Sequence, residues 1–238
     1  MHKLPGRKDF PGCPTCPYLY QGHWSICSPC AYEQMPDIRD PCPICAQELN
    51  GESCRNNLCI GFAGTVFLEG IEAITLHQTP LNLVVSRYKY QGKTGWALIF
   101  ARLLMGYINR HWSPNRVDLI IANPPGPGSD HTTRVIHEAA QADLDNLWPF
   151  DIPPDLAVIK AIETSRSAGQ NFAGKKKAAK EHAQALQLRH PSRIRGKRLV
   201  VYDDICTTGL QLNYVAQRLR EWGAASVHGI VLARQPWS

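Results

Sequence analysis

Eight of the nine cysteines lie between residues 13 and 59, as Cys13-x-x-Cys16, Cys27-x-x-Cys30, Cys42-x-x-Cys45 and Cys54-x-x-x-x-Cys59. Two residues between cysteines allow a tight turn that points both sulfurs at one metal ion, and two such turns complete a tetrahedral site of four thiolates. Residues 1–62 are rich in Cys, Pro and Gly and poor in aliphatic side chains. Such a segment has too little apolar surface to bury a core of its own, so metal ions must organise it. Four pairs supply ligands for two structural zinc ions. Redox pairs and iron–sulfur ligation are the other uses of this spacing. Disulfides belong to exported chains, and here Pro, Gly and Cys interrupt every apolar stretch of the first thirty residues, which argues against a signal peptide. Spacing alone leaves open whether consecutive or interleaved pairs share an ion.

The zinc expectation changes the charge balance. The formal net charge is +6, but each zinc with four thiolates carries −2, so two sites leave about +2. What survives is local: Lys175, Lys176, Lys177, Lys180, Arg189, Arg193, Arg195, Lys197 and Arg198 crowd one short stretch. Such a run is either a solvated helix face or a surface for phosphates. The apolar segment 96–108 carries Arg102 and is too short to span a bilayer. A hydrophobic content of 44% fits a globular protein with a real core. The expectation is a soluble, cytoplasmic protein without a membrane partner.

Beyond residue 62 the pattern becomes periodic. "VFLEGIEAI" (66–74) reads as an apolar strand or edge segment, and "LNLVVSRYKY" (81–90) suits either a strand or a helix. "GWALIFARLLMGYINRHW" (95–112) has the apolar spacing of a buried helix face. Strands are then predicted over 117–123, 156–162, 198–202 and 226–233, with helices over 132–147, 175–189 and 210–222. Strands alternating with helices argue for an α/β fold with a mostly parallel sheet and crossover helices.

The stretch "RLVVYDDICTTGLQLN" (198–213) concentrates the chemistry. Ligands of open α/β sheets bind at the carboxyl ends of strands, which is where Asp203 and Asp204 are expected. A helix beginning near Leu210 places the amides of 207–211 at its N-terminus, where unpaired N–H groups and the helix dipole favour a phosphate. Gly209 permits close backbone approach and the hydroxyls of Thr207 and Thr208 can donate. Adjacent carboxylates beside a phosphate need partners, such as ribose hydroxyls or Mg2+. Cys206 in this loop reads as a small apolar filler, since no paired base is visible, and the histidines read as surface or packing residues.

"VVYDDICTTG" resembles the phosphoribosyl-pyrophosphate (PRPP) loop of type I phosphoribosyltransferases. The cysteine-rich start, the "KYQG" element at 89–92 and the closing "LREWGAASVHGIVLAR" extend the likeness over nearly the whole chain, to the ComF family of competence-associated proteins. The resemblance implies a type I phosphoribosyltransferase-like fold, Rossmann-like with flanking helices, over residues 63–238, and a double zinc ribbon over 1–62. In that ribbon Cys13, Cys16, Cys27 and Cys30 hold one ion, and Cys42, Cys45, Cys54 and Cys59 the other. It implies that Asp203 and Asp204 hold the ribose hydroxyls and are the catalytic pair. Thr207, Thr208, Gly209 and Gln211 cradle the 5′-phosphate, and Lys89 and Arg134 join the PRPP-binding set.

The sequence also departs from the family. Its "VPVP" and "RGFNQ" elements are here "ANPPGPGSDHTTRVIHEAA", with Arg134 on the family's arginine and Val135 in place of the glycine. Ser167 stands where a glutamine is usual, and Gln211 where Thr or Ser is usual. Two readings follow. One is a phosphoribosyltransferase using PRPP and Mg2+, in the glycosyltransferase class. The other is a non-catalytic module that senses PRPP or a nucleotide, or that handles single-stranded DNA with a DNA-uptake partner protein. A homo-oligomer is compatible with both. The acceptor has no recognisable pattern.

Overall fold

The structure is a computed structural model that describes residues 38–61, 64–77, 81–165 and 169–236. The expectations for Cys13, Cys16, Cys27, Cys30 and Ser167 lie outside them. Four runs rich in Val, Ile, Leu and Ala form the sheet: β1 (Gly70–Leu76), β2 (Leu119–Ala122), β5 (Arg198–Cys206) and β6 (Ser226–Arg234). Their order is β1-β6-β5-β2, and every neighbouring pair is parallel. The helices are α1 (Leu81–Tyr90), α2 (Trp96–His111), α3 (His131–Ala142), α4 (Phe172–Gln184) and α5 (Leu210–Glu221). Two three-residue strands, β3 (Val158–Lys160) and β4 (Leu186–Leu188), form a separate antiparallel pair.

A parallel sheet is stable when helices cover both of its faces. Strand side chains alternate between faces, and two apolar clusters follow that alternation. Ile120, Val200, Tyr202, Ile230 and Leu232 pack with α1, α2 and α3. Leu119, Ile121, Leu199, Val201, Val227 and Val231 pack with α4, α5 and the segment carrying Cys42 and Cys45. The result is an α/β fold with flanking helices and an N-terminal cysteine cluster.

The structure resolves the ambiguous 81–90 stretch as a helix. It also moves several boundaries. The strand expected over 156–162 shrinks to three residues and leaves the main sheet. Its partner β4 falls where the pattern predicts the tail of a helix, because three alternating residues in "ALQLR" (185–189) carry no strand period that a longer window can see. Helix α4 starts early, at Phe172, because the Asn171 side chain caps it by accepting the Gly174 N–H at 2.9 Å. Helix α3 stops at Ala142, after which Asp143 accepts the Trp148 N–H at 2.7 Å. No helix among the described residues is long and apolar enough to cross a membrane.

The cysteine-bearing segment lies directly on β1. Ile71 donates its N–H to the Ile44 carbonyl at 3.0 Å. A Cβ added at Gly70 would fall 2.4 Å from the Pro43 carbonyl oxygen, a backbone atom that cannot swing away. Gly70 is therefore required by close approach. Gly70→Ala should lower stability by about 1–3 kcal/mol, the usual cost of overpacking a tight contact, measured by chemical denaturation.

Candidate functional site

Strand β5 runs four residues further than expected. Its ladder to β6 continues through Asp203–Val231 and Cys206–Arg234, so the two acids are strand residues and the free turn is only 207–209. Consecutive strand residues point to opposite faces, and each acid accordingly finds partners in a different helical layer.

Asp204 faces α1 and α3. Lys89 Nζ, in the last turn of α1, lies 2.8 Å from Asp204 Oδ2 and 3.1 Å from Oδ1. His131 Nε2, at the start of α3, is 3.4 Å from the same carboxylate. Burial disfavours the Lys89 ammonium, but the charge and hydrogen bond of Asp204 outweigh it and raise the lysine pKa. Burial, with the Lys89 charge, pushes His131 down. Asp203 faces the other layer. Its Oδ2 accepts from Asn123 Nδ2 at 2.9 Å, and its Oδ1 accepts from the Asp204 N–H at 2.9 Å. Burial and the adjacent Asp204 charge push Asp203 up to about 7.

The turn that follows is tight and leads directly into a helix. Gly209 adopts φ 77°, and α5 begins at the next residue with no acidic side chain in its first turn. A Cβ at Gly209 would lie 2.9 Å from Leu58 Cδ2 and 3.0 Å from Ile71 Cδ1, so both conformation and space demand glycine. Thr208 Oγ1 accepts the Leu210 N–H at 3.3 Å. Arg234, fully buried at the end of β6, donates through Nη1 to the carbonyls of Cys206 (2.7 Å) and Thr207. Its grip on the carbonyls fixes the turn at the N-terminus of α5, the end of a helix that favours an anion. Gln211 is half-buried in that first helical turn, Thr207 is exposed, and Cys206 is buried with its thiol pushed up to about 11 by burial.

Arg134 is engaged by Asp130, one turn back on its own helix. After β2, the turn Pro124–Gly126 borders a cavity of about 250 Å3, lined also by Asp130, Asp151 and Lys160. Part of the basic stretch is paired: Arg193 Nη2 lies 2.8 Å from Asp151 and Arg198 Nε 2.9 Å from Asp118. Lys176, Lys180 and Arg218 line a different cleft, of about 430 Å3, between α4 and α5.

Cys42, Cys45, Cys54 and Cys59 converge, with all four sulfurs within 4.8 Å of one another. The Cys42–Cys59 and Cys45–Cys54 separations are 3.7 and 3.6 Å. A tetrahedron with metal–sulfur bonds of about 2.3 Å has edges of about 3.8 Å, so the cluster fits a tetrahedral metal ion. The free thiols are mutually frustrated. A hydrogen bond from Cys59 brings Cys45 down to about 5, while burial pushes Cys54 up to about 11 and Cys59, bonded to Cys45, is raised as well. Four thiolates this close need a cation. The charge of Arg234 also helps to lower Cys45, so the guanidinium that binds the turn carbonyls is felt by the cysteine cluster as well.

Residues 150–238 match the model of the phosphoribosyl transferase domain. The chain is also 25% identical over 223 residues to the DNA utilization protein YhgH of Escherichia coli O157:H7, covering 91% of this chain and 93% of the relative. Both findings fit a ComF-like chain of the phosphoribosyltransferase type. Among solved structures, the allosteric regulatory enzyme of purine biosynthesis superposes at TM-score 0.31 and 22% identity, over 48% of this chain and 22% of that one. The ComF-like chain thus spans less than a quarter of that enzyme. A purine phosphoribosyltransferase from Pyrococcus horikoshii Ot3 superposes at TM-score 0.33 and 14% identity, over 60% and 85% of the two chains.

Sequence reasoning places the acids and the turn but misses what holds them in this ComF-like chain. His131 and His182, expected as surface or packing residues, have partners in the site: one meets Asp204 and the other, buried, meets Asn123. Arg234 gives no signal, since a lone arginine ending a strand reads as a surface residue.

Two outcomes follow for stability. Asp203 is protonated in both folded and unfolded chains below about pH 4. As pH rises, the unfolded chain loses that proton first, so the native state loses stability until the pH passes about 7. The wild type should therefore lose stability as pH rises from about 4 to about 7 in thermal melts, and Asp203→Asn, whose side chain does not titrate, should lack that part of the slope. Cys45→Ser should lose the bound metal and lower Tm, seen by metal analysis alongside calorimetric scanning.

Proposed function

We propose that this chain binds PRPP with Mg2+ and transfers its phosphoribosyl group to an acceptor with release of pyrophosphate. One observation carries the reading: a buried acid pair leads into a tight turn whose carbonyls are tied back by Arg234 and which leads into the N-terminus of α5. In this reading the first-turn amides, with the Thr207 and Thr208 hydroxyls and the Gln211 amide, take the 5′-phosphate. Asp203 and Asp204 accept hydrogen bonds from the ribose 2′- and 3′-hydroxyls. Lys89 holds Asp204 in place through contacts to both of its oxygens. Hard carboxylate oxygens are the type that Mg2+ accepts beside substrate phosphates, and the cation neutralises the leaving group.

The acceptor's nucleophilic atom bonds to the anomeric carbon as the bond to the pyrophosphate oxygen breaks, through an oxocarbenium-like state. The protein's part is to fix the ribose and stabilise separated charge rather than supply a nucleophile. The cavity beside Pro124–Gly126 and Lys160 is the space on the acid side of the sheet in which leaving group or acceptor would sit. The Cys42, Cys45, Cys54 and Cys59 cluster is assigned to structural zinc, and Cys13, Cys16, Cys27 and Cys30 to a second ion. Arg134 is kept as a pyrophosphate ligand that must leave Asp130 to act.

A second reading rests on the cleft between α4 and α5. Lys176, Lys180 and Arg218 line it, and the Lys180 ammonium sits 5.6 Å from the Tyr214 ring centroid. Cations with an aromatic face suit single-stranded nucleic acid.

Calorimetry with PRPP and Mg2+ tests the first reading. The wild type should bind, Asp203→Asn/Asp204→Asn should lose binding, and pyrophosphate should appear when an acceptor is supplied. A wild type silent at millimolar PRPP overturns it. Salt-dependent binding of single-stranded DNA, lost on Lys176→Ala/Lys180→Ala, would carry the second. Metal analysis should return about two zinc ions per chain.

A further inference from the structure

A line of polar side chains runs from the β3–β4 pair to Asp203. Lys160 Nζ, at the end of β3, lies 2.7 Å from Thr164 Oγ1 and 3.2 Å from His182 Nδ1. His182 Nε2, on α4, lies 2.9 Å from Asn123 Oδ1, and Asn123 Nδ2 donates to Asp203 at 2.9 Å. His182 is 6% exposed, Asn123 3% and Asp203 9%. These groups come from four separate stretches of chain, and none lies in the turn that holds the phosphate.

Chemistry fixes the direction of the line. An ammonium only donates, so His182 Nδ1 accepts from Lys160. Burial and the Lys160 charge hold His182 neutral, with a pKa down to about 3. Its one proton is then on Nε2 and is donated to Asn123 Oδ1. The other end of that amide is a donor, and it meets a carboxylate, which accepts. Every bond points toward Asp203. The Asn123 backbone is already fixed: its N–H donates to the Tyr202 carbonyl at 2.7 Å and its carbonyl accepts from Thr132 Oγ1 at 2.8 Å. What remains free is the rotation of the amide, and the contact with His182 decides it.

We propose that His182 is a positioning residue for Asp203: by holding the Asn123 amide it keeps a donor on the carboxylate and prevents the flipped amide, whose oxygen would face the carboxylate oxygen. This deepens the PRPP reading, because it rests on Asp203 receiving a ribose hydroxyl. It also makes the acid answerable to a distant part of the chain. Lys160 and Thr164 bracket the start of the loop after β3, and His182 lies on the helix that follows this loop. When the β3–β4 pair and α4 are seated, Asp203 is oriented for the sugar; when they are displaced, the amide is released.

The test combines nitrogen-15 NMR of His182 with calorimetry of PRPP and Mg2+ on full-length wild type, His182→Leu and His182→Gln. A glutamine can accept from Lys160 and donate to Asn123, whereas leucine can do neither. Hydrogen bonds that end on a charged group support about a tenfold or larger loss of PRPP affinity in His182→Leu, with His182→Gln recovering most of it. The NMR should show the neutral ring with its proton on Nε2. A proton on Nδ1, a charged ring at neutral pH, or a glutamine variant as weak as leucine at equal thermal stability overturns the proposal. If the wild type binds no PRPP, the ligand reading falls instead. The tautomer then still decides whether His182 orients Asn123: Nε2–H upholds that, and Nδ1–H removes it.

Discussion

The alternation of side chains along β5 is the constraint on which the rest of the structure depends. Because the strand is covered on both faces and paired on both edges as far as Tyr202, its residues from Leu199 to Asp204 divide between two helical layers. Val200 and Tyr202 belong to the layer of α1–α3, and Leu199 and Val201 to the layer of α4 and α5. When the apolar run gives way to Asp203 and Asp204, the alternation continues. Two buried carboxylates side by side would repel, and Asp203 shows the strain in its raised pKa. The fold relieves it by giving one acid a lysine and the other a chain of neutral donors.

The cysteine segment is part of the same arrangement. Leu58 and Ile71 crowd the space a side chain on Gly209 would need, and Arg234 binds the carbonyls of 206 and 207 while its charge helps to lower Cys45. The segment that the composition marks as unable to fold alone shares its apolar cluster with the second layer of the sheet. The cysteine segment and the sheet thus pack against the same turn.

How much of this is legible in the sequence depends on distance along the chain. The strands at 198–202 and 226–233 and the helices at 95–112 and 210–222 emerge because each carries its own period over many residues. The extension of β5 through Cys206 does not, because adjacent aspartates disfavour a strand and only the ladder to β6 sustains them. The β3–β4 pair does not either, its strands being too short to show a period. In the site, the acids and the turn lie within seven consecutive positions, 203–209, and can be read directly. Lys89 is reached through a motif, since it sits 115 residues from the acid it meets. His131, His182 and Arg234 acquire their roles only through partners that the fold delivers, and a lone histidine or arginine carries no spacing to announce them.

The placement of the two acids on opposite sides of one strand has a mechanical consequence. A ligand that touches both carboxylates is fastened at once to α1 and α3 through Asp204 and to α4 through Asp203 and Asn123. It acts as a rivet driven through the sheet, adding to the polar link that Asn123 already makes between Thr132 of α3 and His182 of α4. Occupancy of so small a site would then be felt as stiffness across the whole thickness of the domain, and the two layers would loosen together when the ligand leaves.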